Sequence, residues 1–198
     1  MNLINNWMSA LLAGVCIAIG CIVNLQVGGI IGPMLFTFGL ITVVHYKYKL
    51  YTGTAGFINN WNDFFNLGYI LLWNVIGCLL TALLMYEAIP ELYDKVVPII
   101  NQRESQSILS SLFRAIFCGF LMTTAVKFAR ENKWLPLLFA VPVFILAGFY
   151  HSIADAFYIC ASDYHNVTNA AIVNINWLMT ILGNFVGCNL YRLKFLES

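Results

Sequence analysis

The sequence predicts an all-α integral membrane protein of six transmembrane helices, arranged as an inverted 3+3 repeat with helices 2 and 5 interrupted. Three observations predict it. The chain is 61% hydrophobic and 10% charged, where soluble domains carry about 25% charged residues, and its mean hydropathy is +0.79. Uncharged stretches long enough to cross a bilayer recur between short charged connections. A seven-residue motif also appears once in each half of the chain. The net charge of +1, with no basic cluster, offers nothing to nucleic acid.

No Lys, Arg, Asp or Glu precedes Lys47, enough chain for two spans of about 20 residues each. Gly28, Gly29, Gly32 and Pro33 divide that stretch. They put helix 1 at about 6–23 and the second apolar run at about 31–46. The first run follows no basic segment and carries no cleavage site, so it reads as a retained helix and not as a signal peptide. The second run passes Lys47 and Lys49 into Leu50-Tyr51-Thr52-Gly53-Thr54-Ala55-Gly56, a poor continuation of helix. A third span is expected over about 64–86, between Asp63 and Glu87. A polar connection with Pro90, Pro98 and Asn101-Gln102-Arg103-Glu104-Ser105 leads to a fourth span at about 106–128, which contains Arg114. After the turn Arg130-Glu131-Asn132-Lys133 a fifth run starts at Trp134 and loses regularity through Ser162-Asp163-Tyr164-His165-Asn166. The sixth span is expected over about 171–191. Six cysteines, scattered singly inside apolar runs, read as small hydrophobes.

Six spans place both termini on one side. Lys47, Lys49, Lys127, Arg130, Lys133, Arg192 and Lys194 fall on that side, while Glu87, Glu91, Asp94, Glu104 and Asp163 face Lys95 and Arg103 on the other. The asymmetry makes the termini cytoplasmic and the protein a multi-pass component of the cell (inner) membrane. The repeated motif is Asn74-Val75-Ile76-Gly77-Cys78-Leu79-Leu80 and Asn184-Phe185-Val186-Gly187-Cys188-Asn189-Leu190. It falls in spans 3 and 6, which run in opposite directions. The chain thus reads as one domain over 1–198 with inverted halves of about 1–100 and 101–198. Interrupted helices in matching positions of inverted halves point to a substrate path between them. Here they are run 2 at Leu50-Tyr51-Thr52-Gly53 and run 5 at His151-Ser152.

The second interruption is the chemically pointed one. Ala147-Gly148-Phe149-Tyr150-His151-Ser152-Ile153-Ala154-Asp155 puts two ionisable groups inside an apolar run, and such groups at membrane depth usually face a cavity, a partner or a pathway. Histidine, with an unperturbed pKa of about 6.5, is a donor or an acceptor at physiological pH. Each residue also admits an ordinary role: a buried histidine can tie neighbouring helices together, and a threonine can cap a helix. Asp155 could equally be exposed in an outer cavity, or pair with Arg114 or a neighbouring subunit, and Arg114 could snorkel to the outer headgroups. No metal-spaced His/Cys/Glu set, Ser/His/Asp set or phosphate loop is present. Neither an enzyme nor a cofactor is therefore expected.

Three stretches resemble the formate/nitrite transporter family of pentameric, aquaporin-like anion channels. Phe36-Thr37-Phe38-Gly39-Leu40 followed by Leu50-Tyr51-Thr52-Gly53 is similar to the family's helix 2 and its membrane-embedded loop. Phe113-Arg114-Ala115-Ile116-Phe117-Cys118-Gly119-Phe120-Leu121 is similar to the start of its helix 4. Ala147 to Asp155 is close to its S-G-F-E-H-S-I-A-N, and this element is the specific one. The resemblance implies a narrow pore through each protomer of a homopentamer. Leu40, Leu50 and Tyr51 would form the cytoplasmic-side constriction, Tyr51 standing where a phenylalanine is common. Phe36 and Phe144 would form the periplasmic-side constriction, Thr52 would face His151 between them, and Arg103 falls where the family often has an outer-vestibule lysine. The chain departs from the family at Tyr150 (a glutamate there), Asp155 (an asparagine) and Gly119 (an asparagine). Only about five residues precede helix 1, so gating by an amphipathic N-terminal segment is not expected.

The expected function is passage of small monovalent weak-acid anions (formate, nitrite, hydrosulfide or similar) and of protons through the bilayer. A buried ion is penalised by several kcal/mol, which protonation to the neutral acid largely removes. A proton-coupled symporter of the same anions and a channel for a small neutral solute are the alternatives.

Overall fold

The computed structural model describes residues 6–162 and 169–193. They form α1 (Asn6–Val27), α2 (Ile31–His45), α3 (Tyr51–Ala55), α4 (Trp61–Ala88), α5 (Leu92–Ser105), α6 (Ile108–Arg130), α7 (Leu135–Leu146), α8 (Ser152–Cys160) and α9 (Ala170–Asn189). A 3₁₀ turn, Leu190–Arg192, extends α9. Four of these helices, α1, α4, α6 and α9, are long and apolar enough to cross a membrane. α2, with 15 residues, and α7, with 12, are not, since at about 1.5 Å per residue they fall short of a hydrocarbon core of about 30 Å. Each is followed after a short non-helical link by a second short helix, α3 or α8.

Side-chain caps begin the long helices where the sequence supplies a polar residue: Asn60 Oδ1 accepts from Asp63 N and Ser107 Oγ from Ser110 N. α1 runs past the expected end at residue 23 to Val27, where Gly28 (φ +65°) and Gly29 (φ +57°) turn the chain. The connection after the third span is not merely polar loop. Its residues form α5, a helix that its four charged residues and Pro98 disguise as a polar connection; Leu92, Val96 and Ile100 bury it against the core. The first interruption also sits earlier than expected. Helix stops at His45, and Tyr51, Thr52 and Gly53 belong to the new helix. Residues 163–168, with Asp163 and His165, and Lys194 lie outside the described residues.

The two interruptions are built alike. α2 ends with Lys47 at φ 57° and Tyr48 N donating to Val43 O at 2.8 Å. α7 ends with Gly148 at φ +68° and Phe149 N donating to Phe144 O at 2.8 Å. Both are the helix-closing turn in which a left-handed residue lets the chain bond back to the last helical carbonyls. The short helix that follows then starts on an asparagine side chain. Asn74 Oδ1 accepts from Tyr51 N at 2.8 Å, while its Nδ2 donates to Ala10 O and Lys49 O. Asn184 Oδ1 accepts from Ser152 N at 2.8 Å, while its Nδ2 donates to Ala115 O and Tyr150 O. Both asparagines are fully buried. These are the first residues of the repeated motif, and its other members match as well. Gly77 and Gly187 sit where a Cβ would strike the backbone of α1 at Leu11 and of α6 at Ile116. Cys78 Sγ reaches Gly14 O and Ile153 O, and Cys188 Sγ reaches Gly119 O and Thr52 O.

α8 sits at the centre, with every residue from Tyr150 to Ile159 buried. Around it, α1 packs on α2 and α4, α6 on α7 and α9, and α2 on α7. Removing either asparagine strips the first N–H of the short helix and a carbonyl of the link before it of their side-chain partner. Asn74→Ala and Asn184→Ala are each expected to lose at least about 2 kcal/mol, read as a lowered thermal midpoint in detergent; an unchanged midpoint would show the links hold without them.

Candidate functional site

The two short helices meet at their starts. His151 is the N-cap of α8, and its Nδ1 accepts from Ala154 N at 3.2 Å. Its other ring nitrogen, Nε2, lies 2.9 Å from Thr52 Oγ1 in the first turn of α3. A ring nitrogen that accepts a backbone N–H carries no proton, so the neutral imidazole holds its proton on Nε2 and donates it to Thr52. Both side chains are buried, at 2% and 0% exposure.

Aromatic rings cover one side of this pair. Phe144 stacks on the His151 ring with centroids 5.6 Å apart, and Phe36 meets Phe144 edge-on at 6.0 Å. α2 and α7 supply these rings because they pack together. Leu40 and Leu50 are buried and line a cavity of about 620 Å³. Its walls also carry His45, Lys47, Lys49 and Arg130, against Asp63. Arg130 lies over the Phe57 ring at 3.5 Å. Tyr51 is placed differently from Leu40 and Leu50. Its hydroxyl donates to Ile181 O of α9 at 3.1 Å, and it is not among the cavity's lining residues.

Arg103, Tyr150 and Asp155 form one cluster. The Arg103 guanidinium donates to Asp155 Oδ1 from Nε at 3.1 Å and from Nη2 at 2.9 Å, and lies 3.6 Å over the Tyr150 ring. Arg103 is carried by α5, the helix missing from the sequence reading. Asp155 is therefore neither exposed nor paired with Arg114. Arg114 instead donates from Nη1 to Gly148 O at 2.9 Å, tying α6 to the end of α7. Asn176 Nδ2 donates to Arg103 O and Gln106 O, holding the end of α5, and Trp177 Nε1 donates to Ser152 O. Sequence reasoning missed Asn176, Trp177 and the capping role of Asn74 and Asn184; only the last pair left a signal, the repeated motif. Among the described residues no group of three or more His, Cys, Asp or Glu could hold a metal ion.

The family model described as formate/nitrite transporter matches residues 1–192. The chain belongs to this family. The chain is accordingly a multi-pass membrane protein of a transporter and channel family. Among solved structures, one described as an FNT family ion channel is similar at a TM-score of 0.86 and 20% identity, over 96% of this chain and 88% of that one. A second, described as a pentameric formate channel with formate bound, is similar at 0.86 and 19% identity, over 96% of this chain and 94% of that one. At such identities the likeness speaks to the fold. No curated protein matches in sequence.

The tautomer assigned above has a direct readout. Solid-state nitrogen NMR of the His151 ring is expected to show a protonated Nε2 and a bare Nδ1. A protonated Nδ1 would contradict the capping geometry.

Proposed function

We propose that the chain is a transmembrane channel for small monovalent weak-acid anions, with formate as the reference substrate, and that each protomer carries its own path past the Thr52–His151 pair. The observation that carries this reading is that pair: two buried polar side chains joined at 2.9 Å, with phenyl rings stacked against the histidine. We read Phe36 and Phe144 as one apolar constriction and Leu40 and Leu50 as the other. The basic cavity beyond Leu40 and Leu50 is read as the cytoplasmic vestibule, which follows from placing both termini in the cytoplasm. Tyr51 borders the second constriction only through its backbone neighbour Leu50. The six crossings of the inverted 3+3 repeat are then the four long helices plus the pairs α2–α3 and α7–α8.

The chemistry follows from charge and solvation. A carboxylate entering a phenyl-lined constriction loses hydration worth several kcal/mol, and two hydrogen-bond donors restore part of it. With the His151 Nε2–H given to Thr52 Oγ1, the Thr52 hydroxyl proton is left to supply one donor, and the Nε2–H becomes the second when the anion takes the place of the Thr52 oxygen. The start of α8 adds the positive end of a helix dipole. Protonating the ring would take the Nδ1 lone pair away from Ala154 N. His151 thus acts as a donor of hydrogen bonds, and the permeating species takes its proton from solvent.

A homopentamer suits the surface. α2 buries Phe36, Leu40 and Val43 yet leaves Met34, Leu35 and Phe38 exposed, the last at 73%. A helix apolar on both faces needs lipid or another protomer, and one structural relative is itself described as pentameric.

Uptake of formate into proteoliposomes tests the reading. Wild type is expected to carry formate more slowly as external pH rises, because the neutral acid becomes scarcer. His151→Ala, which removes both donor and cap, is expected to lose at least about tenfold, equivalent to about 1.4 kcal/mol. Unchanged flux and pH dependence would remove His151 from the path. Phe144→Ala, which opens the ring pair, is expected to admit acetate relative to formate; an unaltered ratio would mean the rings do not set the bore.

A further inference from the structure

We infer that Arg103, Asp155 and Tyr150 form a charge-neutral clasp that cancels the charge of Arg103 beside His151 and so lowers this protein's electrostatic attraction for anions at that end. The inference rests on the anion path proposed above and names what decides its charge preference.

The geometry shows a guanidinium with its charge and its faces already engaged. Two of its nitrogens converge on Asp155 Oδ1 at 3.1 and 2.9 Å, and one face lies on Tyr150 at 3.6 Å. Nη1 bonds Gln102 Oε1 at 3.1 Å on its own helix. Side-chain exposure is 13% for Arg103 and 3% for Asp155. Tyr150 is fully buried, and its hydroxyl has no hydrogen-bond partner among the described residues. Its ring, and not its hydroxyl, does the binding, as expected of a cation–π platform.

The placement makes the clasp relevant to the path. Tyr150 immediately precedes His151, and Asp155 stands one helical turn beyond it on α8. A lone cation here would project an unscreened field into a low-dielectric site and concentrate anions. A cation paired at 2.9 Å projects only a dipole, whose field fades within a few ångströms. By contrast, the cavity at Leu40 and Leu50 carries His45, Lys47, Lys49 and Arg130 against Asp63. Charge that draws anions is therefore concentrated at that cavity, while at the His151 end Asp155 cancels Arg103 and leaves Arg114, bound to Gly148 O and 5.5 Å from the Tyr150 ring, as a cation on the other side of the clasp.

Salt dependence separates this from a merely structural ion pair. Wild type, Asp155→Asn and the double variant Arg103→Gln/Asp155→Asn are reconstituted in proteoliposomes. Formate uptake is followed at constant pH and osmolarity from about 0.01 M to about 1 M ionic strength, over which the screening length falls from about 30 Å to about 3 Å. Asp155→Asn is expected to exceed wild type by about tenfold at low salt, the lower range of electrostatic steering, and to lose the gain at high salt. The double variant is expected to show no gain. A rate for Asp155→Asn equal to or below wild type at low salt overturns the proposal, and so does a gain that survives in the double variant. Asp155→Ser is read the same way if Asp155→Asn does not assemble. Thermal midpoints of wild type, Arg103→Gln, Asp155→Asn and the double variant give a readout that needs no transport: the double must lose less than the sum of the singles, and additive losses overturn the clasp. Wild type without formate uptake would overturn the path and this selectivity role together, a result distinct from any pattern among the variants.

Discussion

Everything at the centre of this protein depends on how two broken helices are satisfied inside an apolar environment. A helix that stops in hydrocarbon exposes backbone donors and acceptors that water cannot reach, and each costs several kcal/mol if left bare. The chain meets this at both breaks with the same device. A left-handed residue closes the first helix, and a buried asparagine then takes the first N–H of the second helix while donating to two carbonyls. Asn74 and Asn184 stand on α4 and α9, the long helices beside each break. The position of Thr52 and His151 is therefore fixed by the frame of long helices.

That fixity explains how a histidine can be held deep inside the protein. Its Nδ1 completes the start of α8 as an asparagine or serine would at a soluble helix, and its Nε2 is thereby aimed at Thr52. One side chain closes a helix end and presents a donor into the proposed path. Close helix contacts make the arrangement possible, since Gly77 and Gly187 let α4 and α9 lie against the backbones of α1 and α6.

Much of this was legible in the sequence because its causes are local or repeated. The long apolar runs, the turn at Gly28–Gly29 and the break before His151 follow from composition and turn formers, and the N-x-x-G-C motif pointed at the equivalent elements. Other features were not legible, for physical reasons. α5 keeps Leu92, Val96 and Ile100 at helical spacing, but Pro98 and its four charged residues made it read as a polar connection. The partner of Asp155 could not be read because Arg103 lies on that unrecognised helix, 52 residues away in the chain. Tyr51, grouped with Leu40 and Leu50 on sequence, has a hydroxyl bonded to a carbonyl on α9, since a buried tyrosine goes where its hydroxyl can bond, and that partner has no sequence signal. Tyr150 and Asp155, where the sequence departs from the motif it resembles, meet on the same guanidinium, that of Arg103.

The central claim is that each protomer conducts along its own axis between the phenyl pair and the leucine pair, with Thr52 and His151 in the middle. The most direct measurement is a cryo-EM structure of the reconstituted protein in formate. The account predicts density for the anion within hydrogen-bond reach of Thr52 Oγ1 and His151 Nε2, between Phe36 and Phe144 on one side and Leu40 and Leu50 on the other. Density confined to the basic cavity lined by Lys47, Lys49 and Arg130, or lying only between protomers, would contradict it.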